Sequence, residues 1–198
     1  MQLVSIELVG VSPLMQSRMP KDELIALLAP KTKKKKDINE ERTPRMLAEK
    51  HAYQRTDGTC FVPAEYISSS FAYVASDYKQ TGSTRRSLRS VAKGAFRPQD
   101  PEIDLLDDKG KPITNFEVDV RRGCNRNAGN AAVPLCRPRY DKWRLRFTVQ
   151  IDEALISLPT AQEILADAGK RAGIGAYRVS SGGYYGQFRI SKFDRCKE

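Results

Sequence analysis

Arginines and tyrosines, rather than carboxylates or histidines, are the residues whose types and spacing point to chemistry. The stretch from Arg121 to Arg139 holds Arg121, Arg122, Arg126, Arg137 and Arg139 among asparagines and glycines, without apolar periodicity. Long irregular connections in compact domains are functional or disordered. Guanidinium forks match phosphate geometry, so this stretch reads as a flexible basic finger that orders on a phosphate backbone. A second basic group, Arg85, Arg89 and Lys93, recurs every four residues behind a candidate cap at Ser83 or Thr84, with Arg86 and Arg97 nearby. That spacing predicts a helix with three cations stacked on one face. They repel one another unless an anion joins them; a solvated helix surface is the alternative.

A third segment, Gly173 to Phe188, holds five glycines together with Tyr177, Arg178, Tyr184 and Tyr185. The glycines let the backbone take positive φ and approach a bulky ligand, while the rings and the charge suit bases and phosphates. The alternative is a glycine-rich turn with core tyrosines. Its G-x-G does not follow a strand and open a helix, so a dinucleotide fold is excluded.

Other chemistries are starved of residues. One histidine, His51, leaves no general base to spare for a serine or cysteine triad. Cys60, Cys124, Cys136 and Cys196 lie far apart with no C-x-x-C pair, so neither a zinc site nor another cofactor is expected, and free thiols in a reducing compartment are. The 34 Lys+Arg against 24 Asp+Glu leave a net charge of +10 on a 198-residue chain that is 40% hydrophobic, which describes a folded basic protein with a polyanionic partner. No run approaches the ~18 apolar residues of a membrane span, and the N-terminus lacks a basic leader, so no membrane partner and a cytoplasmic location are expected. Lys33 to Lys36 read as a solvated loop or as a phosphate-contacting one.

These residues need elements to carry them. Val4, Ile6 and Leu8 alternate with Ser5 and Glu7, predicting a strand over residues 2–10. Ser12 to Thr43 is the least globular part. Ile67, Ser70, Phe71, Val74 and Tyr78 fall at helical spacing behind Pro63, and the basic helical stretch follows. Strands are predicted over 113–121 and, by strict alternation of Trp143, Leu145, Phe147, Val149 and Ile151, over 142–151. Thr160 to Glu163 forms a capping box for another helix, and Tyr184 to Ile190 reads as the last strand before a polar tail. Strand, helix, strand, strand, helix, strand is a ferredoxin-like or RRM-like order, an α+β fold. It implies one domain over 1–198 with basic insertions at about 12–57 and 121–140.

Three segments resemble the RAMP proteins of CRISPR effector complexes, in particular the backbone subunits that line up along a guide RNA. They are the first strand with Gly10-Val11-Ser12-Pro13-Leu14, the run Gly58-Thr59-Cys60-Phe61-Val62-Pro63 into a helix, and the glycine-rich loop before the last strand. Ala64-Glu65 stands where the family has Gly-Ser, and Ser68 and Ser69 where its lysine and glycine fall. The glycine-rich segment is also similar to uncharacterised phage and mobile-element proteins. The resemblance implies a non-catalytic subunit of an antiviral ribonucleoprotein. Its partners are single-stranded guide RNA with its complementary target, copies of itself and other effector subunits, with a thumb-like hairpin at Arg121 to Arg139. Two alternatives stand beside it: a RAMP-type endoribonuclease using His51 as general base, and a mobile-element protein that binds single-stranded DNA.

Overall fold

Alternation decides the two central strands. In β1 (Gln2–Gly10) Val4, Ile6 and Leu8 are fully buried. In β8 (Arg144–Ile151) Leu145, Phe147, Val149 and Ile151 turn to the same core. The two pair antiparallel from Gln2↔Ile151 to Val9↔Arg144. This computed structural model describes residues 1–26, 28, 43–80, 82–125 and 129–196. Its larger sheet runs β3 (Phe61–Pro63), β5 (Glu102–Leu106), β8, β1, β9 (Phe188–Arg195), and β4 (Phe96–Pro98) pairs the end of β8 that β5 leaves free. Between β1 and the short strands β4 and β5 come α3 (Ala64–Val74) and α4 (Arg89–Ala95), with β3 directly before α3; between β8 and β9 comes α5 (Leu158–Asp167). Order β9-β1-β8-β5 with two helical crossovers is the ferredoxin-like α+β arrangement. Its core includes Phe71 of α3 stacked on Phe96 of β4, ring centroids 4.2 Å apart.

The expected second core strand is elsewhere. β6 (Glu117–Asn125) pairs along its whole length with β7 (Ala131–Tyr140), from Glu117↔Arg139 to Asn125↔Ala131. With β2 (Leu14–Met15) they make a separate three-stranded sheet, and β4 and β5 fill the core position instead. The stretch read as an irregular finger is therefore mostly hairpin. Pro134 and Pro138 hid β7, yet Pro134 falls where it has no second neighbour, because β2 pairs only with Arg139 and Tyr140, and Pro138 is asked only to accept there, from the Gln16 amide at 3.1 Å.

Three further boundaries move for local reasons. Arg85 is not on α4: the Ser83 hydroxyl accepts from the Arg86 amide at 3.0 Å, and the Gln80 amide donates to Arg86 O at 2.9 Å, closing a turn before the helix begins at Arg89. Arg85, Arg89 and Lys93 thus do not share one helix face. α5 starts before Thr160, capped by Ser157 with Pro159 in its first turn. The last strand runs through the supposed polar tail, up to the pair Val4↔Arg195, because an edge strand needs few residues against the core, here Phe188, Ile190 and Phe193. The 12–57 region contains β2, α1 (Lys21–Ala26) and α2 (Pro44–Lys50), the last capped by Thr43; the Lys33 to Lys36 run lies outside the described residues. No described helix is long and apolar enough to cross a membrane.

Candidate nucleic-acid interface

Cross-strand register sorts the hairpin's side chains. Glu117↔Arg139, Asp119↔Arg137 and Arg121↔Leu135 are directly opposite, so Asp119, Arg121, Arg137 and Arg139 share one face. Val118, Val120 and Arg122 face the other way with Pro138, Cys136 and Pro134. On the first face the Asp119 carboxylate accepts from Arg121 Nε at 2.5 Å and lies 3.8 Å from Arg139, whose Nε is 2.7 Å from Asp141. The root of the hairpin is tied to the core by buried Gln16. It donates to Phe61 O (2.7 Å) and accepts from the Tyr53 amide (2.9 Å) and the Tyr140 hydroxyl (3.3 Å). Arg45 of α2 adds a bond to Phe116 O at 2.7 Å and lies 3.9 Å over the Phe116 ring.

The glycine-rich loop is docked on the segment after β1. The Gly186 amide donates to Pro13 O (2.8 Å), the Gln187 amide to Ser12 Oγ (3.0 Å), and the Ala176 amide to Met15 O (2.8 Å). Gly186 has φ +70, and any Cβ there would collide with Ile174 O, so the position requires glycine. Tyr177 itself takes φ +52, a conformation that non-glycine residues seldom hold.

That loop meets the hairpin. Arg121 lies 5.1 Å from the Tyr177 ring centroid and 4.9 Å from that of Tyr185, and donates to the Tyr185 hydroxyl; Arg137 lies 4.6 Å over the Tyr177 ring. The Asp119 hydrogen bond, opposed by partial desolvation and aided by the Tyr185 hydroxyl, raises the Arg121 pKa above its ordinary value, so its charge is permanent. Cation–π contacts of this kind leave the guanidinium edges able to donate to an added anion.

Of the residues singled out from sequence, the structure brings together Arg121, Arg137, Arg139, Tyr177 and Tyr185. Arg178 continues the same loop, its Nε donating to Ser180 Oγ (2.9 Å) and its Nη1 to Gly175 O (3.2 Å). Tyr184 is 83% exposed, Arg122 is exposed on the opposite hairpin face, and Arg126 lies outside the described residues. Arg85, Arg86, Arg89 and Lys93 are exposed in and before α4, and Arg97 of β4 donates to Gln150 at 3.1 Å. Among the described residues, no ion pair engages Arg85, Arg86, Arg89, Lys93, Arg97, Arg122, Arg137 or Arg178, unlike Arg121 and Arg139.

Helix α3 stands between the two basic groups. One flank, with Tyr66, Ser70 and Tyr73, faces the glycine-rich loop across a cavity of about 340 Å³ that Arg178 also lines. The other, with Ser68, borders a groove of about 330 Å³ that reaches Lys93 and Arg97. Glu65 borders both. Sequence reasoning missed this flank of α3. The only signal is Tyr66 and Tyr73 two helical turns apart, and buried-core spacing looks the same. The His51 ring ends α2 and shares a 2.7 Å hydrogen bond with Arg18 O; since a carbonyl only accepts, Nδ1 carries the proton.

No known family model and no curated protein matches the chain. Among solved structures, it is similar to a chain in the cryo-EM structure of the Type III-B Cmr-beta bound to cognate target RNA, with a TM-score of 0.52 and 13% identity. The match covers 99% of this chain and 61% of that one, so this chain spans about three fifths of its neighbour's length. At that identity the likeness is one of fold.

Proposed function

We propose that this protein is a non-catalytic, RAMP-type subunit of a CRISPR-type effector complex, binding single-stranded guide RNA as repeated copies along the strand. In this reading residues 1–198 form one unit, with insertions at about 12–57 and 121–140. The observation that carries it is the meeting of the hairpin's arginines with Tyr177 and Tyr185 of the glycine-rich loop, on a ferredoxin-like core. The likeness in fold to a chain of an RNA-bound structure supports it, as does the net charge of +10. Arg122 and Arg137 hold phosphates, Arg178 meets the strand from the glycine-rich loop, Arg121 and Arg139 keep the hairpin and loop in register, and exposed Tyr184 stacks on a base. Arg85, Arg86, Arg89, Lys93 and Arg97 extend the track past α3.

The test is electrophoretic. The purified protein retards an unstructured RNA strongly at low salt and weakly at moderate salt, and retards DNA of the same sequence less. Absence of any shift removes the reading, and a preference for DNA replaces it with the mobile-element alternative. A second expectation concerns α4: Arg89→Glu with Lys93→Glu weakens RNA binding about tenfold or more while leaving the melting temperature unchanged, since both side chains are exposed without carboxylate partners among the described residues. Unaltered affinity confines the track to the hairpin side of α3.

A further inference from the structure

The cavity between α3 and the glycine-rich loop contains an unspent polar group. Ser70 is 6% exposed, lines the cavity, and its hydroxyl has no hydrogen-bond partner among the described residues. A buried hydroxyl left unpaired is costly, and it marks this wall as one the fold has not closed for stability alone. Around it the cavity offers two aromatic side chains, Tyr66 and the 55%-exposed Tyr73, the Glu65 carboxylate and the Arg178 guanidinium. Two nitrogens of Arg178 are bonded to Ser180 and Gly175 within its own loop, which fixes the fork and leaves Nη2 to donate elsewhere. At about 340 Å³ the space is at the size at which pockets begin to enclose small ligands, and it accommodates one base with its sugar.

We propose that this cavity is a base pocket selective for guanine, a role that rests on the strand-binding reading and sharpens it from a sequence-tolerant track to one with a single read position. The choice of base follows from donor and acceptor order. A carboxylate accepts only. Guanine alone presents two adjacent donors, N1–H and the N2 amino group, for Glu65. Its O6 and N7 are acceptors, and the remaining Arg178 Nη2 donates to them. Adenine and cytosine place a ring-nitrogen acceptor beside their amino donor, and uracil flanks its single donor with two carbonyls, so each sets an acceptor against the carboxylate. Tyr66 and Tyr73 supply rings for stacking, which is indifferent to base identity; the selectivity comes from Glu65 and Arg178.

The experiment compares four labelled oligonucleotides by fluorescence anisotropy: uridine runs of about 12 nucleotides that are unsubstituted or carry one central guanosine, adenosine or cytidine. The guanosine oligonucleotide binds roughly tenfold tighter than the other three, as one bidentate base contact supplies. Glu65→Gln brings the guanosine-to-uridine affinity ratio down to about one, and Ser69→Trp, at an exposed position on the cavity wall, does the same by filling it. Melting temperatures confirm that both variants are folded. Equal binding of all four oligonucleotides overturns the pocket and leaves the strand-binding reading intact. The pocket also has a readout without a strand: saturation-transfer NMR with guanosine 5′-monophosphate gives a signal that Ser69→Trp abolishes and that uridine 5′-monophosphate lacks. Equal transfer to the two nucleotides overturns the proposal even where RNA binds well. A guanosine signal from a protein that retards no RNA supports the pocket and removes the strand reading.

Discussion

Exchanging Arg122 and Arg137 together for glutamine lowers affinity for unstructured RNA by about 25-fold near 0.1 M salt and flattens the salt dependence by about 1.4 in slope. The magnitude follows from counterion release. Each phosphate neutralised on a single strand contributes roughly 0.7 to the slope of log affinity against log salt, hence about 0.7 of a decade near 0.1 M, and two contacts sum to about 1.4 decades. The fold survives because Arg122 and Arg137 have no carboxylate partner to strand among the described residues, while the Asp119 pairs with Arg121 and Arg139 stay in place. Anisotropy titrations over a salt series check both numbers. Weaker binding with an unchanged slope means that the arginines shape the hairpin without touching phosphate, and intact affinity removes the hairpin from the interface. Tyr177→Ala separates the parts further. It deletes the ring beneath Arg121 and Arg137 while keeping every charge, so affinity falls several-fold through lost stacking while the slope holds.

What could be read from the chain, and what could not, divides along physical lines. β1 and β8 were legible because each has one face in the core, so apolar and polar residues alternate without interruption. β4 and β5 were not, since three and five residues carry too little pattern and Pro98 and Pro101 punctuate them. β7 was masked by prolines at positions where no amide donor is called on, and β9 by the polarity that an edge strand adopts. The arginines and tyrosines of the interface could be picked out by composition, but their meeting could not. Arg121 and Tyr185 are 64 positions apart, on a hairpin of the small sheet and a loop leading into the large one, and only tertiary docking decides that they touch. Arg85 shows the converse: four-residue spacing with Arg89 and Lys93 was real in sequence, yet the Ser83 hydroxyl closes a turn that takes it off the helix.

The docking itself hangs on Trp143, and deleting that ring separates support of the site from the site. Its indole is 1% exposed, donates to Ser12 O at 2.9 Å, and lies so close to Gly10 that no Cβ fits between them. Ser12 and Pro13 are in turn what the Gln187 and Gly186 amides bond to, so the tryptophan sits beneath the loop that presents Tyr177 and Tyr185. Trp143→Ala costs about 3–5 kcal/mol as a large-to-small core change, which for a chain of this length lowers the melting temperature by roughly 10 °C. RNA affinity falls with it, because the loop is no longer held against Arg121. Trp143→Phe keeps most of the ring's volume and loses only the donor, leaving Ser12 O without its indole partner at about 1–3 kcal/mol. Chemical denaturation and RNA titration on both variants distinguish the effects. If Trp143→Ala unfolds at the wild-type midpoint, the indole is not a core anchor. If it is destabilised yet binds RNA as tightly as the parent at a temperature where both are folded, the glycine-rich loop does not owe its position to Ser12 and Pro13, and the rings of Tyr177 and Tyr185 are held by the hairpin alone.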